Sequence, residues 1–314
     1  MKRLLISILL ICPPGTAGAQ IELNPPKPAS VIKVDVNLVN VFASVRDRHG
    51  AYVKDLRKED FEIWRDGKRQ AITHFAREVD SPLTVALLLD VSGSVVPILG
   101  AEKAAAGRFL DEVLRPGDQA LLVGFAQLIA VWQDLTPSKE RLHGALERAG
   151  PGSFPIGPEY HAHGGTVLYD AVNLAAAQTL QQLPGRKAMI VITDGLDTGS
   201  LASIAEAVKA ARRADSVVYG IHYVDEQSDS MRGEGFAALE KLSEPTGGRA
   251  FHVDRKMPLE TVFARIAEEM RHQYGLGFTP SAGDPVNQFH KLQVKCVRAG
   301  LKVQARTGYY SQPR

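Results

Sequence analysis

Residues 83–94 read LTVALLLDVSGS. A near-continuous apolar run, Val85 to Leu89, ends abruptly at Asp90, Ser92 and Ser94. Such a run bounded by turn residues predicts a strand buried on both faces, the kind found in parallel sheets. The polar cluster then falls just past the strand's carboxyl end, where open α/β sheets hold their ligands. A carboxylate and two hydroxyls on alternate residues of one tight loop are hard oxygen donors. They suit Mg²⁺, Mn²⁺ or Ca²⁺ rather than zinc or copper. Ser, Gly and Asp are also ordinary turn formers, so the pentapeptide alone does not separate a cation loop from a plain turn. Oxygens elsewhere in the chain decide.

Outward from Leu83 the rhythm is strand, helix, strand. Ile98 to Leu114 carries alanines and an apolar stripe and closes at Pro116-Gly117, which predicts a helix. Ala120 to Phe125 is a second apolar strand, with Ile129 to Gln133 paired beside it. Helices are expected over Lys139–Ala149, Thr166–Leu183, Ile204–Ala214, Phe236–Leu242 and Leu259–Met270. Strands are expected over Lys187–Thr193, Val217–Val224 and Arg249–Val253. Gly150 to Gly165 is a long Pro/Gly/His loop, and long loops in compact domains are often functional. This alternation over residues 83–271 predicts an α/β domain, a doubly wound and mostly parallel sheet with helices on both faces.

The flanks read differently. Residues 20–30 carry Pro25, Pro26 and Pro28 and form an extended leader. From Val31 apolar residues alternate (Ile32, Val34, Val36, Leu38), and Asp66-Gly67 signals a hairpin. Gln70 to Phe75 reads as one further strand. The 31–80 segment is thus a β-rich module of about five strands. Residues 272–314 return to alternating strands around Tyr274-Leu276-Phe278, Leu292-Val294-Cys296 and Leu301-Val303. One economical arrangement packs the two β flanks together, with the α/β domain inserted between them.

The first 19 residues pair Lys2 and Arg3 with an apolar run from Leu4 to Cys12 and then Ala17-Gly18-Ala19. That pattern predicts a secretory signal cut after Ala19, hence a secreted or periplasmic protein. The run is too short to span a bilayer. Ile11 is bulkier than the small residue that lipoprotein processing at Cys12 wants, so lipid anchoring is not favoured. The 314-residue chain has a formal net charge of +2. With Lys2 and Arg3 removed, basic residues equal the 35 acidic ones, and no basic field argues for nucleic acid or anionic lipid. Only Cys296 survives cleavage, which excludes an internal disulfide and a Cys-based metal site. It is most simply a buried apolar filler.

Asp194 lies at the carboxyl end of KAMIVIT (residues 187–193), as Asp90 does for its own strand. In a parallel sheet both fall on one edge. Thr166, after Gly164-Gly165, opens a helix, and its hydroxyl would point into the same crevice. Asp90, Ser92, Ser94, Thr166 and Asp194 then make an all-oxygen metal site of low formal charge. If the hydroxyls bind directly and the carboxylates act partly through water, the ion stays electrophilic and keeps a position for an acidic group from outside.

DVSGS (90–94), the GGT triplet ending at Thr166, and TDG (193–195) resemble the metal-ion-dependent adhesion site of von Willebrand factor type A domains. The match covers roughly Leu83 to Arg271 and includes all five motif positions in order. The flanks, with DFEIWRDGKRQ before and RTGYY after, resemble the secreted bacterial group of such proteins common in acidobacteria. The resemblance implies a Rossmann-like domain that binds a protein ligand through Mg²⁺ or Mn²⁺, Ca²⁺ being possible, without catalysis. It further implies Ser92, Ser94 and Thr166 as direct ligands, Asp90 and Asp194 as mostly outer-sphere ones, and a partner presenting Asp or Glu.

Other candidates have plainer readings. Asp170, one turn after Thr166, is either a hydrogen-bonding neighbour of the site or a solvated carboxylate. His161 and His163 are an incomplete ligand set and read as a loop shaping the rim. His222 and His252, on predicted strands, read as satisfied histidines. Asp215 and Asp225 bracket a strand as turn residues, and Tyr309-Tyr310 belong to a terminal strand. Ser92 lacks the GxSxG elbow of a serine nucleophile, and the phosphate-binding GxxxxGK[ST] and GxGxxG patterns are absent. The expected protein is therefore not an enzyme. The rival to cation-dependent binding is a metal-independent structural or assembly scaffold of the cell envelope.

Overall fold

The computed structural model describes residues 38–77, 81–154, 165–224, 232–280 and 284–311. The expected signal segment, the leader, the strand onset at Val31, and His161, His163 and Asp225 lie outside them. The first flank supplies β1 (Val39–Arg46), β2 (Phe61–Arg65), β3 (Lys68–Gln70) and β4 (His74–Ala76). The central region supplies β5 (Leu83–Asp90), α1 (Leu99–Val113), β6 (Gln119–Phe125), β7 (Ile129–Thr136), α2 (Lys139–Arg148) and α3 (Leu168–Leu174). It continues through β8 (Arg186–Thr193), α4 (Ile204–Arg213), β9 (Ser216–His222), α5 (Arg232–Ser243), β10 (Ala250–His252) and α6 (Leu259–Arg271). The second flank adds β11 (Gln273–Phe278), β12 (Phe289–Cys296), β13 (Lys302–Ala305) and β14 (Gly308–Tyr310).

The central sheet has the order β10-β9-β8-β5-β6-β7 and is parallel except for β7. Every residue of β5 is buried, as a strand sandwiched between two helical layers requires. Its side chains alternate between two cores. Val85, Leu87 and Leu89 pack with α1, α2 and α6, while Ala86 and Leu88 pack with α3, α4 and α5. The chain leaves β5 toward β6 on one side and returns as β8 on the other, so the strand order reverses at β5. That reversal opens a crevice at the carboxyl ends of β5 and β8.

The flanks interleave rather than form separate sheets. One antiparallel sheet runs β13-β1-β11-β4 and the other β14-β12-β2-β3, each mixing strands from both ends of the chain. Between them lies a core that includes Val41, Val45, Ile63, Leu276, Phe278 and Leu292. The Asp66-Gly67 hairpin is present, with both residues at positive φ as a two-residue turn demands.

Four local expectations change. The strand expected over Gln70–Phe75 is two strands in different sheets, because the chain crosses between layers at Ala71–Thr73 with Ile72 buried. The N-terminal flank therefore holds four strands here, completed by partners from the C-terminal flank. The helix expected over 166–183 begins at Leu168, widens to a π-type turn at Ala175–Thr179 and ends in a 3₁₀ turn at Leu180–Gln182. Cys296, at the end of β12, is only half-buried against the sandwich core.

Candidate metal centre

The structure brings Asp90, Ser92, Ser94 and Asp194 together at the reversal point. Asp90, the last residue of β5, is fully buried and accepts Ser92 N–H at 2.8 Å through Oδ1. Its Oδ2 accepts the Thr193 hydroxyl at 2.6 Å from the neighbouring strand. The turn that follows is fixed by Val91 N–H on Phe125 O and Val95 N–H on Ser92 O. The Ser92 and Ser94 hydroxyls stand 3.1 Å apart, and Ser94 Oγ donates to Asp194 Oδ2 at 2.7 Å. Asp194 Oδ1 accepts Leu196 N–H at 3.0 Å, which orients the carboxylate over the crevice.

Thr166 reaches the same crevice by a different route, from the loop two residues before α3 rather than from the helix itself. It shares with Ser92 and Gly93 a cavity of about 460 Å³ whose apolar wall includes Val91, Leu128 and Phe154. Its backbone is clasped by the loop after β8. Thr166 N–H donates to Thr198 Oγ1 at 3.0 Å, and Thr198 and Gly199 N–H both return to Thr166 O. Gly165 permits that approach, since a Cβ there would lie 2.3 Å from Thr198 Oγ1.

Asp170 does not reach the site. Its carboxylate accepts Leu201 and Ala202 N–H at 2.9 and 2.8 Å, tying α3 to the loop ahead of α4. His222 and His252 hydrogen bond each other through Nδ1 at 2.8 Å.

Two participants escape a reading of the motifs as ligands alone. Thr193, buried, holds Asp90 and also accepts Gly195 N–H at 3.1 Å, so one hydroxyl sets both carboxylate-bearing turns. Glu102 of α1 is fully buried, and neither of its carboxyl oxygens has a hydrogen-bond partner. Its place was foreshadowed by spacing, because Leu99, Glu102, Ala106, Phe109 and Val113 follow the helical period that marks a core face.

The electrostatics fit a divalent cation. Burial pushes the Asp90 carboxyl up to about 6 despite the hydrogen bonds from Ser92 and Thr193, and the charge of Asp194 adds to the rise. Burial likewise raises Glu102, and Asp90 adds to it. A cation bound beside Asp90 would offset both its burial and the neighbouring charge. Among the described residues no three His, Cys, Asp or Glu side chains gather as a metal cage. The donor set is instead two carboxylates with hydroxyls, the set of a hard oxygen-seeking ion.

Residues 85–196 match the family model described as von Willebrand factor type A domain. Three solved structures are similar over parts of the chain. BatB from Bacteroides thetaiotaomicron is 24% identical, covering 60% of this chain and 97% of its own, with a TM-score of 0.45. The von Willebrand factor type A protein from Catenulispora acidiphila is 16% identical, covering 81% and 73%, with a TM-score of 0.48. The von Willebrand factor domain of the type V pili tip protein Mfa5 from Porphyromonas gingivalis is 13% identical, covering 60% and 95%, with a TM-score of 0.47. No curated protein matches the chain.

Proposed function

Residues 85–196 are a von Willebrand factor type A domain, and on that premise we propose that the loop cluster at its sheet edge holds one divalent cation that a protein partner completes with an Asp or Glu. Ser92, Ser94 and Thr166 would hold Mg²⁺ or Mn²⁺ directly, with Ca²⁺ a third candidate, and Asp90 and Asp194 chiefly through water. When bound, the ion supplies an electrophilic position that a carboxylate from outside can fill. The chain's own residues do the rest. Thr193 fixes Asp90, Ser94 fixes Asp194, and the clasp between Thr166 and Thr198 holds the third loop in place.

The observation that carries this reading is the hydrogen-bonded run Thr193–Asp90–Ser92–Ser94–Asp194, which converges two loops on one edge of the sheet. No helix among the described residues is long and apolar enough to cross a membrane, and export is inferred from the N-terminal sequence.

Calorimetric titration of the chain with Mg²⁺ and Mn²⁺ tests the reading. Saturable binding that is lost in Asp194→Ala and in Ser92→Ala/Ser94→Ala supports it. Binding that persists in both variants, or never occurs in the parent chain, moves the function to a metal-independent scaffold.

A further inference from the structure

The other edge of the same sheet carries a second, separate feature. At the amino ends of β8 and β9, where they meet the strands of the flanks, lies a cavity of about 730 Å³. Four charged side chains among the described residues line it: Lys187, Arg212 and Arg306 on one sign, Asp215 on the other. Asp215 is already taken, in an ion pair with Arg306. Lys187 Nζ donates to Leu183 O at 2.8 Å. Arg212 gives its Nε to Pro245 O at 3.1 Å and an Nη to Thr307 Oγ1 at 2.7 Å. Carbonyls and hydroxyls satisfy donors without cancelling charge. Two positive charges are thus left in a cleft whose walls exclude much of the water that would screen them.

These cations also oppose one another. Burial lowers both Lys187 and Arg212, and the charge of Arg306 lowers each further. An independent observation points the same way. Ser216 lines the cavity, is 3% exposed, and its hydroxyl has no hydrogen-bond partner. Buried polar groups in folded chains are ordinarily paired, and those that are not call for a missing partner. A cluster of cations with an unpaired hydroxyl among them is the complement of an oxyanion.

We propose that this cavity binds a small polyanion bearing two or more phosphate or carboxylate groups, neutralised by Lys187, Arg212 and Arg306 and hydrogen bonded by Ser216. The excess of two positive charges sets the valence. The volume, within the range of small-molecule sites, is far larger than one inorganic ion fills. Lys187 stands near the start of β8 and Asp194 just past its end, about 23 Å apart at the usual rise per residue, so this site is separate from the cation centre.

The test is calorimetric titration of the full chain with pyrophosphate and with citrate, at matched ionic strength and without divalent cations. The expected result is saturable one-to-one binding of at least one of them. Which one binds more tightly distinguishes phosphoryl from carboxylate chemistry. Lys187→Met and Arg212→Gln should each weaken it at least tenfold and Ser216→Ala by a smaller factor, while Asp194→Ala leaves it unchanged. Arg212 is only partly buried, so Arg212→Gln carries the test should Lys187→Met fail to fold. Absence of saturable binding to both anions, or parental affinity in Arg212→Gln, overturns the proposal.

Discussion

Thr193 Oγ1 donates a 2.6 Å hydrogen bond to Asp90 Oδ2, joining the carboxyl ends of β8 and β5. The same oxygen accepts Gly195 N–H, so the two turns that bear the candidate ligands are set by one buried hydroxyl. Residues that orient metal-binding carboxylates typically cost about 10- to 100-fold in affinity when removed. Thr193→Val keeps the shape and deletes the donor. It should weaken Mg²⁺ binding by about tenfold or more, while Thr193→Ser retains it. Calorimetry on the two variants checks this, and equal affinities would remove Thr193 from the site.

The turn after Asp194 has no room to spare. Gly195 sits at φ +79°, and a Cβ there would lie 2.3 Å from Gly235 O at the start of α5. Gly195→Ala therefore combines left-handed backbone with a clash against main chain, which a rotamer change cannot relieve. We expect a loss of about 2 kcal/mol or more in urea denaturation, with cation binding impaired because Asp194 moves with the turn. Parental stability would show that the α5 start yields instead.

How much of this was readable beforehand depends on how local the signal is. The LTVALLLD run and KAMIVIT gave away their own burial and their shared sheet edge, because each is a short apolar run, too short for a buried helix and closed by turn residues. The Asp66-Gly67 hairpin was equally plain. What sequence could not supply was pairing across distance. Nothing local says that β1 pairs with β11 from the far flank, or that β3 and β4 belong to different sheets. The site divides in the same way. Asp90, Ser92, Ser94 and Asp194 stand in short motifs, whereas the grip of Thr193 on Asp90 exists only once β5 and β8 are neighbours. Asp170 has ligand chemistry and helical placement, yet backbone N–H groups 31 and 32 residues away take up its carboxylate.

Glu102 predicts an unusual stability profile. Fully buried with both oxygens unpartnered among the described residues, its carboxyl is pushed by burial, and further by Asp90, well above the ordinary 4.5. In the unfolded chain it ionises near that ordinary value. Between the two values the folded state binds the extra proton, so this group's contribution is complete below 4.5 and is lost as pH rises through the folded value. The slope is at most about 1.4 kcal/mol per pH unit. Glu102→Gln should flatten that slope. Glu102→Met, which removes the orphaned oxygens at similar volume, should stabilise the chain by about 1–3 kcal/mol at neutral pH. Urea denaturation from pH 4 to 8 in the absence of cation reads both, and a parental slope in Glu102→Gln would refute the assignment.

The junction between flanks and α/β domain turns on another buried carboxylate. Glu269 of α6 accepts the Tyr52 hydroxyl at 2.9 Å, Ser44 Oγ at 3.3 Å and the Tyr219 hydroxyl at 3.4 Å, and forms an ion pair with Arg249. Those four partners come from β1, the segment after it, β9 and the approach to β10, so one side chain ties the sandwich to the central sheet. Removing one member of a buried pair strands the other charge, at a cost of about 3–5 kcal/mol, whereas replacing both with apolar residues is often close to neutral. Arg249→Met should fall in that range. Arg249→Met/Glu269→Met should recover most of the loss, less what the three hydroxyls forfeit when their acceptor goes. A double-mutant cycle in urea measures the coupling directly. If the double variant is as unstable as the sum of the single ones, the pair is uncoupled, and the hydroxyl network alone holds α6 against the flanking sheets.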